Sequence, residues 1–429
     1  MYQWLSDALA EEDSHVITAN RRLSRTLDEE YARQRIAAGE GGWRRPVIVP
    51  ASTWYTLLAE RLTPRPDRPA RLTGSHSRVL WERVLEEDID EPMLNVGSLA
   101  RQCLETWNRL HDWCVPLEDC VTEANGPDQR IFARAALRYR EYLTSEAWID
   151  DAVFRATLPG WLSEDGARVP RRVTLAGFDR ITPRLRQLLT QFSEGGCVVN
   201  EIGHDAPSNV TVKRYPNTES ELRAAGAWAR RRLDAEPDAR VAIVVNALQE
   251  QSDRAGRLLR EGVTPGWQYA SERAREAVNV SFGRRLADYP AIAIALTALR
   301  WLSQPLGSRD VALLLRSPLL SAGDLSQRAR LELRLRDMPD RRWSRALLLS
   351  ALKPVAARTG GDDWLLAFAT VDELLAKRPC RQRPRAWAEL FDTVLAALGW
   401  PGKRSRGSMD YQLENRFREL LGELGRLEL

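Results

Sequence analysis

Apolar positions along the chain switch between two rhythms, and each switch predicts a change of structure. The run His15-Val16-Ile17-Thr18, opening at Ser14, is short and nearly continuous in apolar character, as in a strand of a buried sheet. Asn20 then stands where an N-cap belongs, ahead of a helical stretch that runs to Ala38. After the turn-like Gly39-Glu40-Gly41-Gly42, a second strand is expected at Pro46–Pro50. A helix capped by Ser52 and carrying Trp54, Leu57 and Leu58 should follow. Strand, helix, strand, helix predicts the opening of an α/β domain.

From about Ser75 to Asp151 strand signals vanish. Val79, Leu80 and Val84, and then Leu99, Cys103, Trp107 and Leu110, recur at helical spacing, so an all-helical insertion is expected. Strand character returns at Arg172–Gly177, followed by a helix at Pro183–Phe192 and a strand at Cys197–Asn200, as if the interrupted α/β domain resumed. Strand Val210–Tyr215, helix Thr218–Leu233, strand Val241–Val245 and helix Gln249–Arg260 then read as a second α/β unit with a mostly parallel sheet. Beyond about Ala287 the pattern is helical, with breaks at Pro305, Pro318, Pro354, Gly360-Gly361, Pro379 and Pro401-Gly402. The last amphipathic stretch, Tyr411–Leu429, stops without a C-terminal cap, as expected of a chain cut from a longer protein. The expected organisation is an α/β domain over residues 1–72, resumed at 166–207 after a helical insertion at 73–165. A second α/β domain at 208–286 then enters a helical insertion at 287–429.

Composition changes this picture little. Hydrophobic residues make up 44% and charged residues 28% of the 429, enough apolar material for several cores. The net charge of +4 is too small to identify a polyanionic partner. The kind of cation says more: lysine occurs only at Lys213, Lys353, Lys377 and Lys403, so nearly every cation is an arginine, which forks onto phosphate. A coding bias that exchanges Lys for Arg throughout is the alternative source. The five cysteines, Cys103, Cys114, Cys120, Cys197 and Cys380, are an odd number without the density of a disulfide scaffold, so a reducing cytoplasm is expected. No secretory signal opens the chain and no stretch approaches the roughly 18 apolar residues of a membrane span, so no membrane association is expected.

Several chemistries are excluded by residue identity. A phosphate-binding P-loop needs Gly-Lys followed by a hydroxyl residue. The Gly-Lys pair here, Gly402-Lys403, is followed by Arg404. A PD-(D/E)xK nuclease needs an acid two places before a lysine, and those places hold Thr211, Ala351, Leu375 and Pro401. The histidines His15, His76, His111 and His204 form no zinc motif. His111, Cys114 and Cys120 lie close together but among core-like neighbours, where buried structural cysteines are the plainer reading. Asp150-Asp151 and Asp362-Asp363 read as a helix cap and a turn. No catalytic residue, metal site or cofactor is expected in this chain.

Two strand ends are candidates for binding. Thr18, Asn20, Arg21 and Arg22 place an arginine-bearing helix N-terminus at the carboxyl end of a strand, a position that favours an anion such as a DNA phosphate. An ordinary capped surface helix is the alternative. Gly177-Phe178-Asp179 ends another strand where a helicase would hold acidic residues toward magnesium; a turn aspartate capping the helix near Pro183 is the alternative. Trp and Arg are also interleaved, as in Trp228-Ala229-Arg230-Arg231-Arg232 and Arg341-Arg342-Trp343, a pattern that suits either base stacking or a helix core.

Taken in order, three segments resemble one family: Val16–Leu23 with Trp54 downstream, Leu175–Asp179 leading to Thr182-Pro183, and Leu315-Arg316-Ser317-Pro318-Leu319-Leu320. They are similar to AddB-type proteins, the inactivated superfamily I helicase relatives of bacterial double-strand-break repair. The resemblance implies RecA-like parallel-sheet domains with large helical insertions. The first segment would match helicase motif Ia, Gly177-Phe178-Asp179 a degenerate Walker B strand, and Arg316-Ser317 the insertion of the second helicase-like domain. It implies DNA contacts at Thr18, Asn20, Arg21, Arg22, Trp54, Arg316 and Ser317, an AddA-like helicase partner, and a nuclease domain further on. Loss of the P-loop departs from AddB proper and points to a DNA-gripping scaffold that does not hydrolyse ATP. A helical protein-interaction module and an enzyme with an unrecognised cleft are the rival classes.

Overall fold

A computed structural model of the chain describes residues 2, 4–88, 95–203, 210–246, 248–269, 277–281, 285–339, 341–359, 362–379, 381–403 and 407–427. His204, Cys380, Gly360-Gly361 and Arg404 lie outside these residues. The chain forms two compact units, residues 1–208 and 209–428. Among the described residues no helix is long and apolar enough to cross a membrane.

The first unit is built on a sheet of four parallel strands: β1 (Ser14–Thr18), β2 (Val47–Pro50), β5 (Arg172–Ala176) and β6 (Val198–Glu201), in the order β2-β1-β5-β6. Central β1 is buried along its whole length, as a strand covered on both faces must be. Its side chains alternate between two cores. Val16 joins Ile48 and Ala176 beneath α1 (Trp4–Ala8) and α2 (Arg21–Ala37). Ile17 joins Val173 and Leu175 on the opposite face, beneath α3 (Ala51–Ala59), α8 (Asp151–Glu164) and α9 (Pro183–Glu194). The α/β expectation therefore stands for this unit. The cap of α3 differs from expectation: Pro50 holds the N-cap position with no side-chain hydrogen bond, and Ser52 lies inside the helix.

Between α3 and α8 the chain makes the helical insertion, α4 (Gly74–Asp88), α5 (Val96–Asp112), α6 (Leu117–Thr122) and α7 (Pro127–Ser145). Its core is aromatic: Trp81 stacks on Tyr139 with ring centroids 4.4 Å apart, and Trp107 meets the same tyrosine edge-on. The insertion leaves and rejoins the domain side by side. β3 (Ala70–Arg71) pairs with β4 (Trp148–Ile149), and the Arg71 guanidinium lies 4.0 Å over the Phe154 ring. Asp150 caps α8 by accepting from the Val153 N–H at 2.9 Å and also accepts from the Tyr139 hydroxyl at 3.1 Å. Helix α8 itself packs on the sheet through Phe154, Leu158 and Leu162. The helical pattern marks this boundary poorly, because a helix covering a sheet and one in a bundle share a period.

The second unit is mostly helical. Helices α10 (Thr218–Ala235) and α11 (Leu248–Val263) cross where Gly226 meets Gly262. The strands expected at Val210–Tyr215 and Val241–Val245 are not assigned there; both segments run without ladder partners among the described residues. Ile243 and Val245 pack on the α10–α11 core, whereas Val210, Val212 and Val244 stay exposed. Alternation satisfies one face, but a strand also needs a neighbour for its N–H and C=O groups. The remaining helices surround Trp301, Trp343, Trp364 and Phe368. Two of the indole N–H groups are met by backbone: Trp301 Nε1 donates to the Trp343 carbonyl and Trp400 Nε1 to that of Ala291, each at 2.8 Å.

Candidate nucleic-acid interface

Parallel pairing brings the carboxyl ends of β1, β2 and β5 to one edge of the sheet, with Thr18 level with Pro50 on one side and Ala176 on the other. A helix starts just beyond each end: α2, α3 and α9. At α2 the geometry follows from three residues. Thr18 is buried and its hydroxyl donates to the Asn20 carbonyl at 2.9 Å, closing the turn. Asn20 has extended backbone angles and its side chain accepts from the Leu23 N–H at 3.0 Å. That cap serves the third residue of the helix, and Arg21 and Arg22 occupy its first turn.

The Gly177 segment is locked against the same helix. The Ala19 N–H donates to the Ala176 carbonyl at 3.2 Å. Gly177 has φ +75°, and a Cβ there would lie 2.5 Å from Leu23 Cδ2, so the left-handed backbone favours glycine and any side chain would also have to displace the end of Leu23. Asp179 and Arg180 follow on the exposed loop, and Thr182 caps α9 through the Leu185 N–H. The structure thus brings Thr18, Asn20, Arg21, Arg22, Gly177, Phe178 and Asp179 to one edge. The cap of α9 is Thr182 and not Asp179. Arg21, Arg25 and Arg180 are exposed and have no ion-pair partner among the described residues. Arg25 and Arg180 were missed in the sequence, although Arg25 stands one turn beyond Arg21 and Arg180 beside Asp179.

Trp54 is not part of this edge. It is fully buried, packs edge-on against Phe192 at 5.7 Å and donates its indole N–H to His15 Nδ1 at 2.9 Å. An indole with no accessible face cannot stack on a base, so its assignment as a DNA contact is corrected to a core role. Arg316 and Ser317 belong to the second unit. Ser317 is buried; its carbonyl accepts from the buried Arg328 at 3.0 Å and its hydroxyl accepts from the Leu319 N–H. This serine is a turn-former, which corrects its candidacy as a contact. Arg316 remains half exposed, 3.6 Å from the buried Glu332.

The His15–Trp54 bond also fixes a titration. Because Nδ1 accepts, the neutral ring carries its proton on Nε2, which donates to Asp13 at 3.1 Å. Burial, reinforced by the Arg61 charge, pushes His15 down from 6.5 to about 4, against the attraction of Asp13. The depressed value favours the neutral ring in the fold, so this stabilisation is complete above pH 6.5 and is lost as pH falls toward 4. Between pH 7 and 4 the unit should lose about 3 kcal/mol of unfolding free energy through this group. His111 is also pushed down by burial, so His15→Gln is the comparison. Chemical denaturation of both proteins should show a flatter pH dependence in the variant, and identical slopes would refute the assignment.

No protein-family model matches the chain, and no curated protein matches it.

Proposed function

We propose that the chain is a non-hydrolytic, helicase-like scaffold of AddB type that grips DNA at the carboxyl edge of its sheet during double-strand-break repair. The observation that carries this reading is the α2 N-terminus beside the Gly177 turn, with Arg21, Arg25 and Arg180 exposed and without an ion-pair partner among the described residues, at the edge of a four-stranded parallel sheet. A helix N-terminus and guanidinium groups both favour phosphate oxygens. A RecA-like reading of the first unit is supported by helices on both faces of a parallel sheet. An AddA-like helicase is the partner this reading calls for, and the residues that would hold a nucleotide phosphate in a P-loop are absent from the sequence.

Fluorescence anisotropy with single-stranded and forked DNA tests the proposal. Affinity should fall with salt, at about 0.7 to 0.9 log units per log unit of salt for each phosphate engaged. Calorimetric titration with ATP and magnesium should show no binding. Absence of DNA binding at low salt would refute the reading. The exposed Val210, Val212 and Val244 favour a second one, in which the second unit docks a protein partner; partner capture that survives loss of DNA binding would support it.

A further inference from the structure

We infer that the cavity between the α5–α6 turn and the first turn of α9 takes an unstacked base of single-stranded DNA, an inference that rests on the DNA-binding reading and adds a strand preference to it. The cavity measures about 340 Å³, at the small end of ligand sites. Residues far apart in sequence build it: Trp107, Leu110 and His111 come from the end of α5, Cys114 from the turn after it, Leu117 and Arg140 from α6 and α7, and Arg184 from α9.

Its place in the fold ties it to the sheet edge. Arg184 lies two residues past the Thr182 cap, and its Nε donates to the His111 carbonyl at 3.2 Å. Cys114 Sγ donates to Gln187 Oε1 at 3.6 Å, one turn further along α9. The loop leading into this helix carries Asp179 and Arg180. The first turn of α9 therefore belongs both to the end of the edge loop and to the cavity wall, and the proposed strand would continue from one to the other.

The chemistry of the walls suits a base. His111 Nδ1 donates to the Trp107 carbonyl at 3.0 Å, so the neutral ring, favoured by burial, keeps Nε2 as an acceptor. The buried Trp107 ring forms an apolar wall behind the histidine, its ring centroid 4.3 Å from that of His111. The lining includes two guanidinium groups and, among the described residues, no carboxylate. Arg140 is held by Glu118 at 2.7 Å, while Arg184 gives Nη1 to Gln187 at 3.0 Å and has no carboxylate partner among the described residues. On the same turn Trp113 is 45% exposed; of the 15 tryptophans, only it and Trp228 stay exposed. An indole held in water beside a cationic cavity is a stacking surface for a neighbouring base.

The test uses an oligothymidylate carrying one 2-aminopurine, with a duplex of equal length as the comparison. Trp113→Ala should weaken single-strand binding about 5- to 100-fold, the range for one lost stacking contact, and leave duplex binding unchanged. Trp113→Phe should restore most of it. In the parent, the oligonucleotide should slow alkylation of Cys114 by iodoacetamide while Cys120 reacts as before, read by peptide mass spectrometry. If Trp113→Ala binds like the parent and Cys114 is not protected, the cavity inference falls and the DNA-binding reading stands. If the parent binds no DNA at low salt, both fall.

Discussion

Replacing Arg21 and Arg22 with glutamate is expected to weaken single-stranded DNA binding about 10- to 100-fold near 0.1 M salt. Each arginine that engages a phosphate releases about 0.7 of a counterion from a single strand, so removing two such contacts costs roughly 25-fold at that salt. Reversed charge at a helix N-terminus adds repulsion where an anion was favoured. The salt slope should drop by about 1.4 in the same titrations, which separates lost phosphate contacts from a general loss of folding. Both side chains are exposed, so the unfolding midpoint should stay within the small change expected of surface substitutions. Because Arg22 has an interaction of its own within the protein, Arg21→Glu alone is the cleaner arm. Unchanged affinity and slope in both variants would remove the edge from consideration as a DNA site.

The first unit was legible because its signals are local. A buried strand followed by Asn20 predicts both β1 and the N-cap of α2, and both are observed. Glycine at 177 reads as a strand end, and the structure adds that Leu23 occupies the space a side chain would need. Failures came where the deciding partner is remote. Trp54 on an amphipathic helix reads equally as an outward stacker or a core residue, and His15, which decides the matter, lies 39 positions away. His111 and Arg184 are 73 positions apart, so no spacing rule joins them, and proximity in sequence groups the histidine with Cys114 and Cys120 instead.

The second unit shows the same limit in reverse. Val241–Val245 has the period of a strand and half-buries Ile243 and Val245 accordingly, yet pairing depends on neighbours that the pattern does not encode. Periodicity reports which face of a segment is apolar. Whether that segment joins a sheet is settled by long-range contacts.

Gly262→Ala should destabilise the second unit by about 1–3 kcal/mol, the range for forced overpacking, although the same change in an open helix stabilises. In a helix interior alanine gains about 1 kcal/mol over glycine. At Gly262 a Cβ would run into the Arg223 carbonyl oxygen and stand 2.8 Å from the Ala227 nitrogen. At Gly226 it would meet the Leu259 carbonyl and lie 3.1 Å from the Gly262 Cα. The obstacles are backbone atoms of the facing helix, which no rotamer change removes, so α10 and α11 must separate and open the packing of Leu222, Ala255, Leu258 and Leu259. Gly422 supplies the control: it lies within the helix Ser408–Gly425 of the same unit, and a Cβ there meets nothing within 4 Å. Gly422→Ala should therefore raise the denaturation midpoint that Gly262→Ala lowers, both followed by the helical circular dichroism signal. A rise in both variants would mean that the two helices do not approach through these glycines. A fall confined to Gly262→Ala identifies steric contact between the backbones as the stronger of two opposed effects.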